Sequence, residues 1–287
     1  MTTVRDLAEL VRLPAVLTVP GDVLAGAAAA GWPYGRRTWA LPVASTCLYW
    51  AGMALNDYAD RDLDATERPE RPIPSGRVRP AHALGLAAAL TAAGVAAAGL
   101  VGGRPALRVT IPLAGAVWAY DLLAKRGPAG PAVMATARGL DVVLGARGDL
   151  RRVALPAAVV AGHTVGVTAL SRGEVTGARP AVAAGALAGT LCAAAATGFP
   201  PAGRPPRSSL AAAALAATYA LTVGVSQARA LGSPDARTVR RATGAGVRGL
   251  IPLQAALVAR SGSVVTAAGL VAAGPLARRA ARVVSPT

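Results

Sequence analysis

From residue 81 to residue 101 the chain carries no Asp, Glu, Lys or Arg. A helix rises about 1.5 Å per residue, so ~20 apolar residues cross a hydrocarbon layer about 30 Å thick. Comparable runs recur at 13–31, 39–55, 106–123, 131–146, 153–170, 181–199, 210–230 and 239–259. Residues 264–281 form either a tenth span or a helix packed at the surface. Backbone in hydrocarbon must satisfy its own hydrogen bonds, and runs of this length do so as helices. The expectation is an all-α membrane protein, with Gly/Pro-rich turns at 102–103, 127–128 and 198–206. Residues 1–287 then form a single domain.

Composition agrees. Hydrophobic residues make up 53% of the chain and charged ones 15%, against about 25% in soluble domains. Aromatics are 3%, so Ala, Leu, Val and Gly must do the packing, and small residues suit close helix contact in lipid. The net charge of +16 does not point to nucleic acid, because the basic residues are dispersed through short loops without interleaved aromatics. Membrane lipids with anionic headgroups are the partners such loops fit. With the acidic loop after residue 55 placed inside, 18 Lys and Arg fall on that side and 10 on the other, while Arg138 and Arg248 lie in spans. That is the sense of the positive-inside rule, so the acidic loop is expected at the cytoplasmic face of a bacterial-type cell membrane, in a multi-pass protein. Cys47 and Cys192 show no metal or redox spacing and are expected as buried free thiols. Asp6, Glu9 and Asp22 interrupt the N-terminal region, so no cleavable signal is expected.

Against this oily background, residues 56–78 read NDYADRDLDATERPERPIPSGRV. Six of the fourteen acidic residues fall between Asp57 and Glu70. On a helix, Asp57, Asp60 and Asp64 stand at i, i+3 and i+7 and share a face, while Asp62 points away. Carboxylates crowded on one face repel unless a cation sits among them. Hard oxygen donors select Mg²⁺ or Ca²⁺, and Mg²⁺ is commonly shared between carboxylates and substrate phosphates. The spacing therefore predicts a Mg²⁺–phosphate platform. An EF-hand does not fit, because Ala65 stands where Gly is needed and Arg71 where a bidentate Glu belongs. Further along, Lys125 and Arg126 are either a snorkelling interfacial pair or contacts to phosphate oxygens.

The pattern Asn56-Asp57-x-x-Asp60-x-x-x-Asp64, followed by Arg71-Pro72-Ile73-Pro74-Ser75-Gly76, resembles the first signature of the UbiA superfamily of intramembrane prenyltransferases. The resemblance implies a bundle of about nine transmembrane helices around a central cavity. It also implies Mg²⁺, a prenyl diphosphate donor and a lipophilic acceptor, aromatic or a related small molecule. Under it Asp57, Asp60 and Asp64 are the catalytic metal-binding carboxylates. Asn56, Arg68, Arg71, Lys125, Arg126 and Tyr120 bind substrate. Tyr120 stands one residue further from Lys125 than in the family's usual form. Asp22 faces the cavity, since the first span often lines the family's active site. The family's second acidic motif, usually paired Asp, is represented by Ser171-Arg172-Gly173-Glu174. Glu174 alone then joins the metal, or Arg172 replaces part of its charge, or catalysis is lost and the protein binds or moves an isoprenoid lipid. The segment Arg138-Gly139-Leu140-Asp141 with Leu144-Gly145 resembles the EboC-like branch of the superfamily.

Ionisable residues within spans are costly and should meet partners or a cavity. Arg138 and Asp141 at i, i+3 are spaced to pair with each other, and His163 is expected as a satisfied packing residue. With only His82 and His163 in the chain, neither a Ser-His-Asp triad nor a zinc site is expected.

Overall fold

The structure is a computed structural model describing residues 2–12, 19–199, 203 and 205–284, with side chains to residue 275. Every described element is helical. In chain order these are α1 (Val4–Leu10), α2 (Pro20–Ala29), α3 (Leu41–Glu67), α4 (Pro80–Ala124), α5 (Gly130–Gly145), α6 (Leu150–Ser171), α7 (Pro180–Gly198), α8 (Pro206–Gly232), α9 (Ala236–Arg260) and α10 (Val264–Val284). The expected first span begins with residues that lie outside the described set, at 13–18. The segment expected as a tenth span or a surface helix is helical as α10, and its described apolar part, Val264–Pro275, is shorter than a full span.

Helix α4 is a hairpin. Gly103 adopts φ 62°, ψ −152°, a conformation that side chains with a Cβ avoid, and Pro105 restarts the second leg. The legs, residues 80–102 and 104–124, clip together where Trp118 Nε1 donates to Thr91 Oγ1 at 3.0 Å. Among the described residues five helices (α4, α6, α7, α8 and α9) are long and apolar enough to cross a membrane. In α4, α6, α7 and α8 no more than 39% of the apolar window is buried, whereas 67% of that of α9 is. The outer helices thus turn apolar faces toward lipid, as expected of a multi-pass membrane protein, and α9 forms the inner post.

Short α2 has all residues from Gly21 to Ala28 buried. It gets that close through glycines: a Cβ on Gly26 would collide with the Val142 carbonyl, and one on Gly145 with the Val23 carbonyl. Backbones of α2 and α5 therefore touch, which carries Asp22 into the centre.

Two expectations are corrected. Arg138 does not pair with Asp141; its Nε lies 2.8 Å from Asp22 Oδ2, while Asp141 Oδ2 accepts from Ser45 Oγ at 2.7 Å. The close approach of α2 to α5 supplies a deeper partner than the same-helix neighbour. The cysteines are free, but Cys192 is exposed on α7 and Cys47 only partly covered, beside Gly94 of α4. His163 is satisfied as expected, 2.8 Å from the Tyr219 hydroxyl and 3.1 Å from the Gly246 carbonyl.

Candidate active site

Helix α3 does not stop at the membrane edge. It runs on through the acidic motif to Glu67, so the 3.6-residue period puts Asp57, Asp60 and Asp64 on one side. Asp57 and Asp64 are buried and Asp60 half-buried, whereas the Asp62 side chain is 87% exposed and points away. The following RPIPSG segment folds back over them. Ser75 N and Oγ bond to the Arg71 carbonyl, Gly76 turns with φ 76°, and Val78 N returns to the Pro72 carbonyl. This turn aims Arg71 at the helix face.

The Arg71 guanidinium bridges two of the three carboxylates. Its Nη1 lies 2.6 Å from Asp64 Oδ2 and 3.5 Å from Asp57 Oδ1. Arg68 approaches Asp64 at 3.9 Å, and Arg12 approaches Asp57 at 3.5 Å. Asp60 faces the other way along the rim, 2.8 Å from Lys125 Nζ and 3.2 Å from Arg126 Nη2. A positive group thus already sits between Asp57 and Asp64. Asp57 and Asp64 offer hard oxygen donors around one shared charge, but among the described residues no three His, Cys, Asp or Glu side chains are gathered closely enough to hold one metal ion, so a divalent cation would have to take the place of Arg71.

Next to this rim a cavity of about 320 Å³ sinks between α3, α4 and α5. Asn56, Tyr120 and Asp121 line it at the acidic end, and Ser45, Arg138 and Asp141 line it deeper in. Leu48, Met53, Leu113, Val117 and Met134 supply apolar wall. Asn56 Nδ2 donates to Asp121 Oδ1 at 3.1 Å, and Lys125 Nζ reaches the Asn56 carbonyl at 3.4 Å. A Cβ on Gly52 would meet Val117 Cγ1 at 3.0 Å, so this glycine lets α3 lie close against α4 beside Asp121.

At the inner end Asp22 is fully buried. It accepts from Gln254 Nε2 at 2.7 Å and pairs with Arg138. Asp22 does not line the cavity as expected; it stands behind Arg138 and holds that guanidinium in the wall. Asp141 Oδ1 is buried without a hydrogen-bond partner among the described residues.

Arg172 Nη2 donates to the Arg126 carbonyl at 3.2 Å, tying the loop after α6 to the rim. Glu174 lies in that loop, where its carbonyl accepts from Arg240 at 2.9 Å. Sequence reasoning missed Arg12, Asp121, Ser45 and Gln254 as site residues. Asp121 had a local signal, one residue after Tyr120 and four before Lys125. Ser45 and Gln254 had none.

Comparison with known proteins places this geometry. The UbiA prenyltransferase family model matches residues 15–171, more than half of the chain. The chain belongs to the UbiA prenyltransferase family. Two curated relatives are digeranylgeranylglyceryl phosphate synthases. That of Natronomonas pharaonis is 43% identical over 96 residues, covering 33% of this chain and 35% of the relative. That of Halobacterium salinarum is 38% identical over 151 residues, covering 51% and 54%. The chain thus matches about half the length of these relatives or less. A solved UbiA homolog from Aeropyrum pernix K1 superposes with a TM-score of 0.67 at 22% identity, over 85% of this chain and 96% of that one. The UbiA fold accordingly extends beyond the segment matched by sequence.

Proposed function

We propose that this UbiA-family protein transfers a prenyl group from an isoprenoid diphosphate to a lipophilic acceptor within the bilayer, as one domain over residues 1–287. One observation carries the reading: an apolar cavity opens directly beside three carboxylates and five cations on a single rim. An isoprenoid diphosphate has matching parts, an apolar tail and a strongly anionic head. The names of the two curated relatives support the donor class. The acidic end faces the cytoplasm of a bacterial-type membrane, in line with the excess of basic residues there.

Asp57, Asp60, Asp64 and Glu174 would hold Mg²⁺, which when bound supplies positive charge that stabilises the departing diphosphate. The chain's own cations complete the head site. Lys125 and Arg126 now face Asp60, and Arg71 and Arg68 face Asp64. Each is placed to turn its N–H groups to diphosphate oxygens, with Arg172 fixing the strand of rim that carries Arg126. Tyr120 and Asn56 line the cavity where the allylic carbon would enter. The acceptor nucleophile forms a bond to C1 as the C1–O bond breaks, its electron pair leaving with the diphosphate. The apolar walls keep water from the electron-poor carbon.

Two carboxylates compete for the acceptor's proton, and distance decides between them. Asp141 contacts Ser45, twelve residues before Asp57 on α3, which is about 18 Å along a helix and too far for transfer. Asp121 bonds Asn56, next to Asp57, and lines the cavity at its acidic end. Asp121 is therefore the proposed proton acceptor, and the Arg138–Asp141 end meets a distant polar group or tail.

The loop after α6 supplies a single carboxylate, Glu174, which favours a second reading: isoprenoid lipid binding or translocation without transfer. Membranes containing the protein, supplied with labelled prenyl diphosphates and a host lipid extract, separate the two by mass spectrometry. Transfer predicts a prenylated lipid product that disappears on chelation of Mg²⁺. Retained donor with no released diphosphate over a broad acceptor panel would reject it in favour of the second reading.

A further inference from the structure

A second groove, about 710 Å³, opens between the last turns of α8 and the first half of α9. It is lined by Ser226 and Arg229 from α8, and by Arg240, Arg241, Gly244 and Arg248 from α9. Four guanidiniums in one groove repel each other and require an anion. The protein supplies little. Arg240 donates to the Glu174 backbone carbonyl. Among the described residues Arg229, Arg241 and Arg248 have no carboxylate partner. The nearby carboxylate of Asp235 is taken by its own helix start, accepting from Arg237 N, Thr238 N and Thr238 Oγ1 at 2.9, 3.0 and 2.6 Å.

Depth narrows the occupant. Arg248 lies twelve residues inside α9, about 18 Å from its start. A charge that deep is costly unless its side chain reaches back to a polar region. The Arg248 guanidinium does reach back: a Cβ on Gly244, one turn nearer the N-terminus, would sit 3.3 Å from its Nη1. The missing side chain at Gly244 thus leaves room for the guanidinium within the groove. By helix periodicity Leu221 and Val225 stand eight and four residues before Arg229 on one face of α8, and Val247 stands seven residues after Arg240 on α9; all three are exposed, at 67%, 44% and 60%. A ladder of cations thus descends from the polar edge along an apolar flank. That arrangement matches a phosphate headgroup with acyl chains attached, and a soluble anion would leave the flank unused.

We propose that the α8–α9 groove is a binding site for an anionic phospholipid, its phosphate held by Arg229, Arg241 and Arg248 and its chains lying on Leu221, Val225 and Val247. The site lies outside the candidate active site, and its occupancy does not depend on the proposed transfer reaction.

Native mass spectrometry of the full chain, released from neutral detergent after exposure to phosphatidylglycerol or phosphatidylcholine, reads the site directly. Phosphatidylglycerol should be retained at least about tenfold more than phosphatidylcholine. Each guanidinium removed should weaken retention about fivefold, so Arg229→Gln/Arg241→Gln/Arg248→Gln should lose about a hundredfold. Arg241 is exposed, so the single Arg241→Gln variant is expected to fold and to lose about fivefold even if the triple variant does not. Arg104→Gln/Arg108→Gln, at the opposite end of the bundle, should leave retention unchanged, and millimolar inorganic phosphate should not displace the lipid. Equal retention of the two lipids would overturn the proposal. So would undiminished retention in the Arg241→Gln variant, an equal loss in the Arg104/Arg108 variant, or displacement by inorganic phosphate.

Discussion

The cavity has charged groups at both ends, and the two ends are built differently. At the rim, three of the five cations around Asp57, Asp60 and Asp64 are largely open to solvent, with Arg12, Arg68 and Arg126 side chains 44%, 53% and 67% exposed, while the two closest, Arg71 and Lys125, are 20% and 11% exposed. At the inner end Asp22 is sealed and clamped by Arg138 and Gln254. The three open partners, Arg12, Arg68 and Arg126, are placed to exchange an aspartate for an incoming anion at little cost in solvation. The inner pair has nowhere else to go. The same residue types thus serve as exchangeable contacts in one place and as fixed structure in the other.

The comparison can be broken first at the sealed end. Asp22→Leu leaves Arg138 without its partner and should cost about 3–5 kcal/mol of stability. The double variant Asp22→Leu/Arg138→Leu should recover most of that loss in reversible denaturation in detergent. A single variant as stable as the parent would show that the inner pair is not the fixed one. At the rim the balance should reverse. Asp60→Asn should lower product formation about 10²–10³-fold while its thermal midpoint stays near that of the parent. A large drop in midpoint would mean that the rim is structural.

A smaller effect is expected at Tyr219, whose hydroxyl meets His163 in the packed region away from the cavity. Tyr219→Phe should cost about 1–3 kcal/mol through an unsatisfied buried imidazole, with transfer kinetics unchanged. The smallest effect is at α1, which docks on the acidic loop through Arg77 bonds to Asp6 and Glu9. The Asp6 carboxyl is held down at about 2, chiefly by hydrogen bonds from Thr3 and then by Arg77. A depressed carboxyl contributes stability above its unfolded value near 4, and loses it as pH falls through 2. Hydrogen-exchange protection factors at residues 4–10, which divide out the intrinsic pH dependence of exchange, should therefore be the same at pH 7 and pH 5 and fall only below about pH 4. A loss of protection already between pH 7 and pH 5 would assign the latch to another group.

Much of the bundle was legible because lipid imposes a length on apolar runs, and the runs from 81 onward lie within a few residues of the helices found. The α4 hairpin was marked by Gly102-Gly103, since only glycine takes the turn's positive φ. The acidic face was legible because its spacing is local to one helix. The inner cluster was not, because Ser45, Asp22, Arg138, Asp141 and Gln254 come from four helices. Only the close approach of glycines on α2 and α5 brings Asp22 to Arg138. Same-helix spacing favoured the wrong pair, Arg138 with Asp141. The cysteines were misjudged for a related reason: in a membrane bundle an apolar position can as well face lipid as core.

On the proposed reading the α3 carboxylates give up their arginine and lysine partners to a prenyl diphosphate held with Mg²⁺. Calorimetric titration of the purified chain with a prenyl diphosphate, with and without Mg²⁺, tests it most directly. The account predicts binding that requires Mg²⁺ and weakens about a hundredfold or more in Asp57→Asn/Asp64→Asn. Equal affinity without Mg²⁺, and in that double variant, would contradict it.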